Sequence, residues 1–196
     1  MNIPETYNQL DQWTTVMFLY NSALKAINTK IEILNNEFIH LYNYNPIEHI
    51  KSRLKTPESI VKKLKRGGHE VTIPNMIEHL SDIAGIRIIC SFSPDIYRIA
   101  EMIARQSDVT VLVVKDYIKN PKPNGYRSYH MIVEIPVFFS KGKTPMRVEL
   151  QIRTNGMDFW ATLEHQLRYK KGIEDLPGYA EISEELLRSA QAVIET

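Results

Sequence analysis

Cysteine is nearly absent. Cys90, the only one in 196 residues, lies in the apolar run Ile86-Arg87-Ile88-Ile89-Cys90, cannot form an internal disulfide, and reads as a small buried hydrophobe in a reducing compartment. No stretch reaches the roughly 18 uninterrupted apolar residues of a membrane span. Met1-Asn2-Ile3-Pro4-Glu5 also lacks the basic start and apolar run of a secretory signal. A cytoplasmic protein with no membrane partner is expected. Gly-x4-Gly-Lys-Ser/Thr, Gly-x-Gly-x-x-Gly, His-Glu-x-x-His and paired Cys-x-x-Cys are all missing, so phosphate-loop, Rossmann and zinc chemistry lose their support. Neither sign of charge dominates: the net charge is +1.

That near-neutrality conceals local asymmetry. Lys51, Arg53, Lys55, Lys62, Lys63, Lys65 and Arg66 face only Glu58 within one short segment. Residues 174–195 reverse the balance, with Glu174, Asp175, Glu181, Glu184, Glu185 and Glu195 against Arg188. Anion binding therefore belongs upstream. An apolar share of 43% suits one compact domain over 1–196.

Residues 10–41 carry apolar positions at helical spacing without proline or glycine, which predicts one long amphipathic helix. Tyr42-Asn43-Tyr44-Asn45-Pro46 ends it, and a short helix from Ile47 to Arg53 is expected. Thr56 as N-cap with Pro57 at the first helical position predicts a helix over 57–66, stopped by Gly67-Gly68. Asn75 is expected to cap a helix reaching Ser81, and helices are expected over 94–106 and 158–171. Strands are expected over 86–92, 109–115, 128–138 and 146–153. The last alternates strictly, Val148, Leu150 and Ile152 against Glu149, Gln151 and Arg153. The order ααα-β-α-β-β-β-α-α predicts an α+β fold, a mixed central sheet of about four to five strands flanked by helices. The catalytic core is expected over 45–171, with a C-terminal helical segment over 176–196.

Four constellations carry possible chemistry. Ser59, Lys63 and Arg66 recur at i, i+4 and i+7 beyond a helix N-terminus, a face along which a polyphosphate could run; a solvated basic helix is the plainer reading. Around the turn Asn124-Gly125 stand Lys122, Tyr126, Arg127 and His130, an aromatic face for a base among cations for phosphates, with Tyr126, Ser128 and His130 alternating onto one side. The turn alone would be an ordinary connection into a strand. Asp82 and Glu149 are hard oxygen ligands that could converge on Mg²⁺ carrying nucleotide phosphates, although Glu149 could equally be a surface residue of an edge strand and Asp82 a loop acid. In Phe159-Trp160-Ala161-Thr162-Leu163-Glu164-His165, Phe159, Leu163 and the later Leu167 read as core, with Glu164 and His165 as secondary candidates.

Together, Asn45-Pro46-Ile47-Glu48-His49, Ser52-Arg53-Leu54-Lys55-Thr56-Pro57-Glu58-Ser59-Ile60, Asp82-Ile83-Ala84-Gly85-Ile86-Arg87, Lys115-Asp116-Tyr117-Ile118, Lys122-Pro123-Asn124-Gly125-Tyr126-Arg127-Ser128 and Glu149-Leu150-Gln151-Ile152-Arg153-Thr154 resemble the synthetase domain of the RelA/SpoT family, in particular its single-domain small alarmone synthetases of the RelP type. The resemblance implies a nucleotidyltransferase-like domain that moves pyrophosphate from ATP to the ribose 3′-hydroxyl of GDP or GTP, releasing AMP, in stringent-response signalling. It implies that Arg53 and Arg87 sandwich adenine, and that Lys55, Ser59, Lys63 and Arg66 hold the donor phosphates. Tyr126 would stack on guanine beside Asn124, and Lys122 and His130 would meet the acceptor phosphates. Lys115, Arg127, Gln151, Arg153 and His165 complete the acceptor side. Asp82 would bind Mg²⁺, and Glu149 would be the general base while also touching the metal. Small members of the family form homotetramers through their terminal helices, and the stripe of residues 10–41 suits either that or packing on the chain's own sheet.

Two departures qualify the resemblance. No His-Asp dipeptide occurs, so the metal-dependent hydrolase of bifunctional relatives is not expected. Position 113, arginine in some long relatives, is Val113. The rival readings are another nucleotidyl or phosphotransferase using the same carboxylates, and an RNA-binding module built on Tyr126, Arg127 and Tyr129.

Overall fold

The computed structural model describes residues 9–169 and 179–195. Its elements are α1 (Gln9–Tyr42), β1 (Ile47–Leu54), α2 (Pro57–Arg66), α3 (Ile73–His79), β2 (Ala84–Cys90), α4 (Ser93–Ala104), β3 (Thr110–Asp116), β4 (Tyr129–Phe139), β5 (Gly142–Thr154), α5 (Asn155–Tyr169) and α6 (Tyr179–Glu195). The strands form one sheet in the order β1-β2-β5-β4-β3, with β2 parallel to β5 and every other neighbour antiparallel. This is the expected mixed-sheet α+β fold. None of the described helices is long and apolar enough to cross a membrane.

Helix α1 runs unbroken for 34 residues because nothing in it interrupts the backbone ladder. It ends where Asn43 turns left-handed at φ 50° and donates its N–H to the Ile39 carbonyl, an ordinary C-terminal closure. Val16, Tyr20, Ala23, Ile27, Ile31 and Leu34 are buried along one stripe, in the same core as Ile86 and Ile88 of β2 and Leu150 and Ile152 of β5. The stripe is therefore used on the chain's own sheet. Ile27→Ala should cost about 2–5 kcal/mol, read as a shift in denaturation midpoint. The loss should not vary with protein concentration, as an intrachain contact requires.

Sequence and structure part company at four places. Residues 47–54 are a strand, not a short helix. Ile47, Ile50 and Leu54 fall at helical spacing, but the β1–β2 register shifts between Ile47 and His49. Such a bulge resets the alternation and lets both isoleucines face inward. Helix α3 is capped by Thr72, whose side chain accepts from Asn75 N at 3.3 Å; Asn75 lies inside the helix because capping and Pro74 set the start earlier. Phe159 is 58% exposed whereas Met157 and Trp160 are buried, so the inward face of α5 is rotated from the expected one. Leu163 is half-buried, and the side chain of Leu167 lies outside the described residues. Finally, Glu149 stands on the central strand rather than an edge.

Helices α1 and α4 cover the sheet face carrying Ile86, Ile88, Cys90, Leu150 and Ile152. The alternate residues of β2 and β5 point the other way, which turns a row of charged and polar side chains toward one surface.

Candidate active site

Strand register assembles the site. One line across all five strands reads Lys51, Arg87, Gln151, His130, Lys115, and the next reads Arg53, Gly85, Glu149, Ile132, Val113. Gly85 lacks a side chain between Arg53 and Glu149. Lys51, Arg53, Asp82, Gly85, Arg87, Glu149 and Gln151 line a cavity of about 310 Å³ there. A roomier cleft of about 520 Å³ is lined by Phe38, Tyr42, Tyr44 and Arg98, but its arginine is paired with Asp95 and no second cation lines it among the described residues.

Beside this cavity, Lys55 N donates to the Ile83 carbonyl at 2.8 Å, pinning the end of β1 to the segment entering β2. Lys55 Nζ and Lys63 Nζ each lie 2.8 Å from Asp82 Oδ2. Burial pushes the Asp82 carboxyl up, and the hydrogen bonds and charges of Lys55 and Lys63 more than reverse this, leaving it below its ordinary value. Asp82 Oδ1 is buried and has no hydrogen-bond partner among the described residues. An orphaned hard oxygen beside two ammonium groups suits a divalent cation bearing phosphates. Among the described residues no three His, Cys, Asp or Glu side chains converge, so such a cation would rest on one or two carboxylates plus substrate oxygens, the habit of Mg²⁺. Ser59 and Arg66 lie at opposite ends of α2, both exposed; Ser59 Oγ is 3.0 Å from Thr56 Oγ1. Neither lines the cavity.

A second cluster is built on Tyr126. Asn124 Oδ1 accepts from Tyr126 N at 3.3 Å and Asn124 Nδ2 donates to Glu164 at 3.0 Å, tying the turn to α5. Gly125 has φ +86°, and a Cβ there would come 3.0 Å from Gln191 Oε1 and 3.4 Å from the Trp160 ring, so only glycine fits both the backbone and the space. Tyr126 Oη sits 2.8 Å from His130 Nε2 and accepts from Arg153 Nη2. Lys122 Nζ lies 4.7 Å from the Tyr117 ring centre and 4.8 Å from that of Tyr126. Burial raises the Tyr126 hydroxyl, with Arg153 only partly offsetting it, so the ring stays neutral. Lys115 is exposed on the edge strand opposite His130, Arg127 is half-buried, and His165 is exposed on α5 while its neighbour Glu164 meets Asn124.

Glu149 lies between these groups. Gln151 Nε2 donates to its Oε2 at 2.9 Å, and His130 Nδ1 is 3.6 Å from its Oε1. Burial pushes this carboxyl up, Asp82 adds to that, and His130 with Gln151 outweighs both, so it too sits below its ordinary value. A carboxylate held in its ionised form thus stands between the Lys55–Lys63–Asp82 cluster and the cluster around Tyr126.

Two residues escaped the reading of the sequence. Tyr117 packs edge-on against Tyr126 at 6.0 Å and His130 at 5.2 Å. Asp158, in the first turn of α5, accepts from Arg87 and Arg153. The acid-bearing start of a helix directly after β5 was the only available signal for it.

The signature described as a region found in RelA / SpoT proteins matches residues 52–174. The GTP pyrophosphokinase YwaC of Bacillus subtilis (strain 168) is 46% identical over 182 residues, 93% of this chain and 85% of that protein. Small alarmone synthetase 2 from Bacillus subtilis superposes with a TM-score of 0.78 at 44% identity, covering 92% of this chain and 91% of that one. Small alarmone synthetase 1 from the same organism, solved with its product pppGpp, gives 0.79 at 35% identity over 94% and 91%. The chain belongs to the RelA/SpoT family.

Proposed function

We propose that the chain is a GTP pyrophosphokinase that transfers the β,γ-pyrophosphate of ATP to the 3′-hydroxyl of GDP or GTP. The observation that carries this is the placement of Glu149 between a lysine–aspartate cluster (Lys55, Lys63, Asp82) and an aromatic–cationic cluster (Lys122, Tyr126, His130, Arg153) on one sheet face. Two anionic substrates need such a lining, and positioning with charge neutralisation supplies most of the acceleration in phosphoryl chemistry.

Arg53 and Arg87 flank the adenine, Lys55 and Lys63 pass from Asp82 to the donor phosphates, and Ser59 and Arg66 extend that path along α2. Tyr126 stacks on guanine, with Asn124, Lys115, Lys122, Arg127, Gln151, Arg153 and His165 around the acceptor nucleotide. The 3′-oxygen attacks the β-phosphorus in line. The O3′–Pβ bond forms while the bond from Pβ to the oxygen bridging the α-phosphate breaks, and that oxygen leaves with AMP. Glu149 takes the hydroxyl proton. Asp82, with Glu149, would hold Mg²⁺, which supplies neutralisation of the phosphate charge when bound. The enzyme works in the cytoplasm, where its nucleotides are. The homotetramer of small family members would draw on apolar residues that α1 leaves exposed, such as Phe18 and Ile33.

The RNA-binding reading is weakened because Tyr129 is engaged with Tyr97 at 5.6 Å and does not continue a stacking row from Tyr126. Incubation with Mg²⁺, ATP and GDP is expected to yield AMP and a 3′-pyrophosphorylated guanosine nucleotide in equal amounts by chromatography. Absence of either product removes the proposal.

A further inference from the structure

Asp158 belongs to neither nucleotide cluster yet touches both. Its side chain is 13% exposed, and its Oδ1 oxygen lies 3.0 Å from Arg87 Nη1 and 3.2 Å from Arg153 Nη1. Lys51 Nζ reaches Oδ2 only at 4.0 Å. The arrangement follows from register: Arg87 pairs with Gln151, and Arg153 with Ile89, so two guanidinium groups stand diagonally on the central parallel strands. Like charges placed so closely repel, and a single carboxylate between them offsets the repulsion by attracting both. Burial pulls Arg153 below its ordinary value; Tyr126 opposes this, Arg87 adds to it and Asp158 opposes it again.

The two arginines are unequally held. Arg153 also donates to Ser128 Oγ at 3.2 Å, to Gln151 Oε1 at 2.7 Å and to Tyr126 Oη. Arg87 is 34% exposed along its side chain, and its Nε is buried with no hydrogen-bond partner among the described residues. Among the described residues Asp158 is the only carboxylate in ion-pair range of Arg87. An unbroken chain of contacts thus runs from Arg87 through Asp158 and Arg153 to Tyr126, then to His130 and Glu149.

We propose that Asp158 is a positioning residue that couples the two substrate sites, its one oxygen fixing Arg87 of the donor side against Arg153, which carries Tyr126 of the acceptor side. A nucleotide that engages either arginine also fixes the other through the shared oxygen, so each raises the affinity of the other by the same factor. The inference rests on the donor role of Arg87 and the acceptor role of Tyr126.

Calorimetric titration of α,β-methylene ATP with and without GDP, and the reverse, tests it. The natural chain should show a mutual enhancement of about fivefold or more. In Asp158→Asn the factor should fall to about 1, with analogue affinity down about tenfold and GDP affinity changed by less than about threefold, because Arg153 keeps its other partners. A merely structural role would weaken both nucleotides alike and leave the factor intact. Should Asp158→Asn fail to fold, Asp158→Glu keeps the charge but displaces the shared oxygen, and it too should lower the factor. Full coupling in either folded variant, or none in the natural chain, overturns the proposal. Arg87→Ala separates the premises: unaltered analogue affinity there would overturn the donor assignment itself, whereas weakened affinity with coupling intact in Asp158→Asn would sink the coupling alone.

Discussion

Glu149→Gln is expected to lower kcat by about 10²–10⁴-fold, the usual contribution of a positioned base, while GDP affinity stays within about threefold. The substitution is nearly isosteric, and the new amide oxygen can still accept from Gln151 Nε2, which now donates at 2.9 Å. Packing and the contact of Tyr126 with His130 are therefore retained; only the negative charge is lost. Single-turnover AMP release measures the first quantity and calorimetry with GDP the second. Because burial, although it raises the Glu149 carboxyl, is outweighed by His130 and Gln151, the group sits below its ordinary value of 4.5 and is ionised across neutral pH. A base already deprotonated imposes no acid-side fall in kcat/KM until the pH drops beneath that value. A Gln variant that keeps natural turnover would remove Glu149 from the chemistry. A variant that loses GDP binding as well would make it a substrate-binding group instead.

Elements whose pattern is set locally could be read from the sequence. Pro57 after Thr56 fixed the start of α2, and Thr56 Oγ1 does accept from Ser59 N. The alternation of Val148, Leu150 and Ile152 against Glu149, Gln151 and Arg153 fixed the two faces of β5. What could not be read depends on pairing between distant segments. Residues 47–54 carry helical spacing only because a bulge opposite Cys90 and Ile89 resets the strand, and nothing within the segment announces that partner. The central place of β5, which turns Glu149 from a plausible surface residue into one held between His130 and Gln151, comes from the parallel pairing with β2. Asp158 was invisible for the same reason. Its meaning lies in two arginines, Arg87 and Arg153, that only the register brings to one oxygen.

Asp82→Asn should be comparably damaging to activity, by a different route, and should also lower stability. In the free protein Asp82 is the shared counter-charge of Lys55 and Lys63. Lys55 is only 9% exposed, so removing its partner strands an ammonium in a poorly solvated place, at a cost of about 3 kcal/mol. Lys63, whose side chain is 35% exposed, can turn to water and should contribute little. The pH dependence has a definite sign. The Asp82 carboxyl lies below its ordinary 3.8 because the two lysines outweigh burial, so its stabilisation is present above that value and is lost as pH falls through the folded one. The gap in denaturation midpoint between the natural chain and the Asn variant should therefore be full at neutral pH and should close in acid. For turnover, loss of a hard anionic ligand should reduce kcat/KM by about 10²-fold or more and raise the Mg²⁺ concentration needed for half-maximal rate. Those two readouts separate the roles of the residue. A variant with the stability loss but an unchanged Mg²⁺ requirement would leave Asp82 as a clamp for Lys55 and Lys63 and shift the metal to Glu149 and the substrate phosphates.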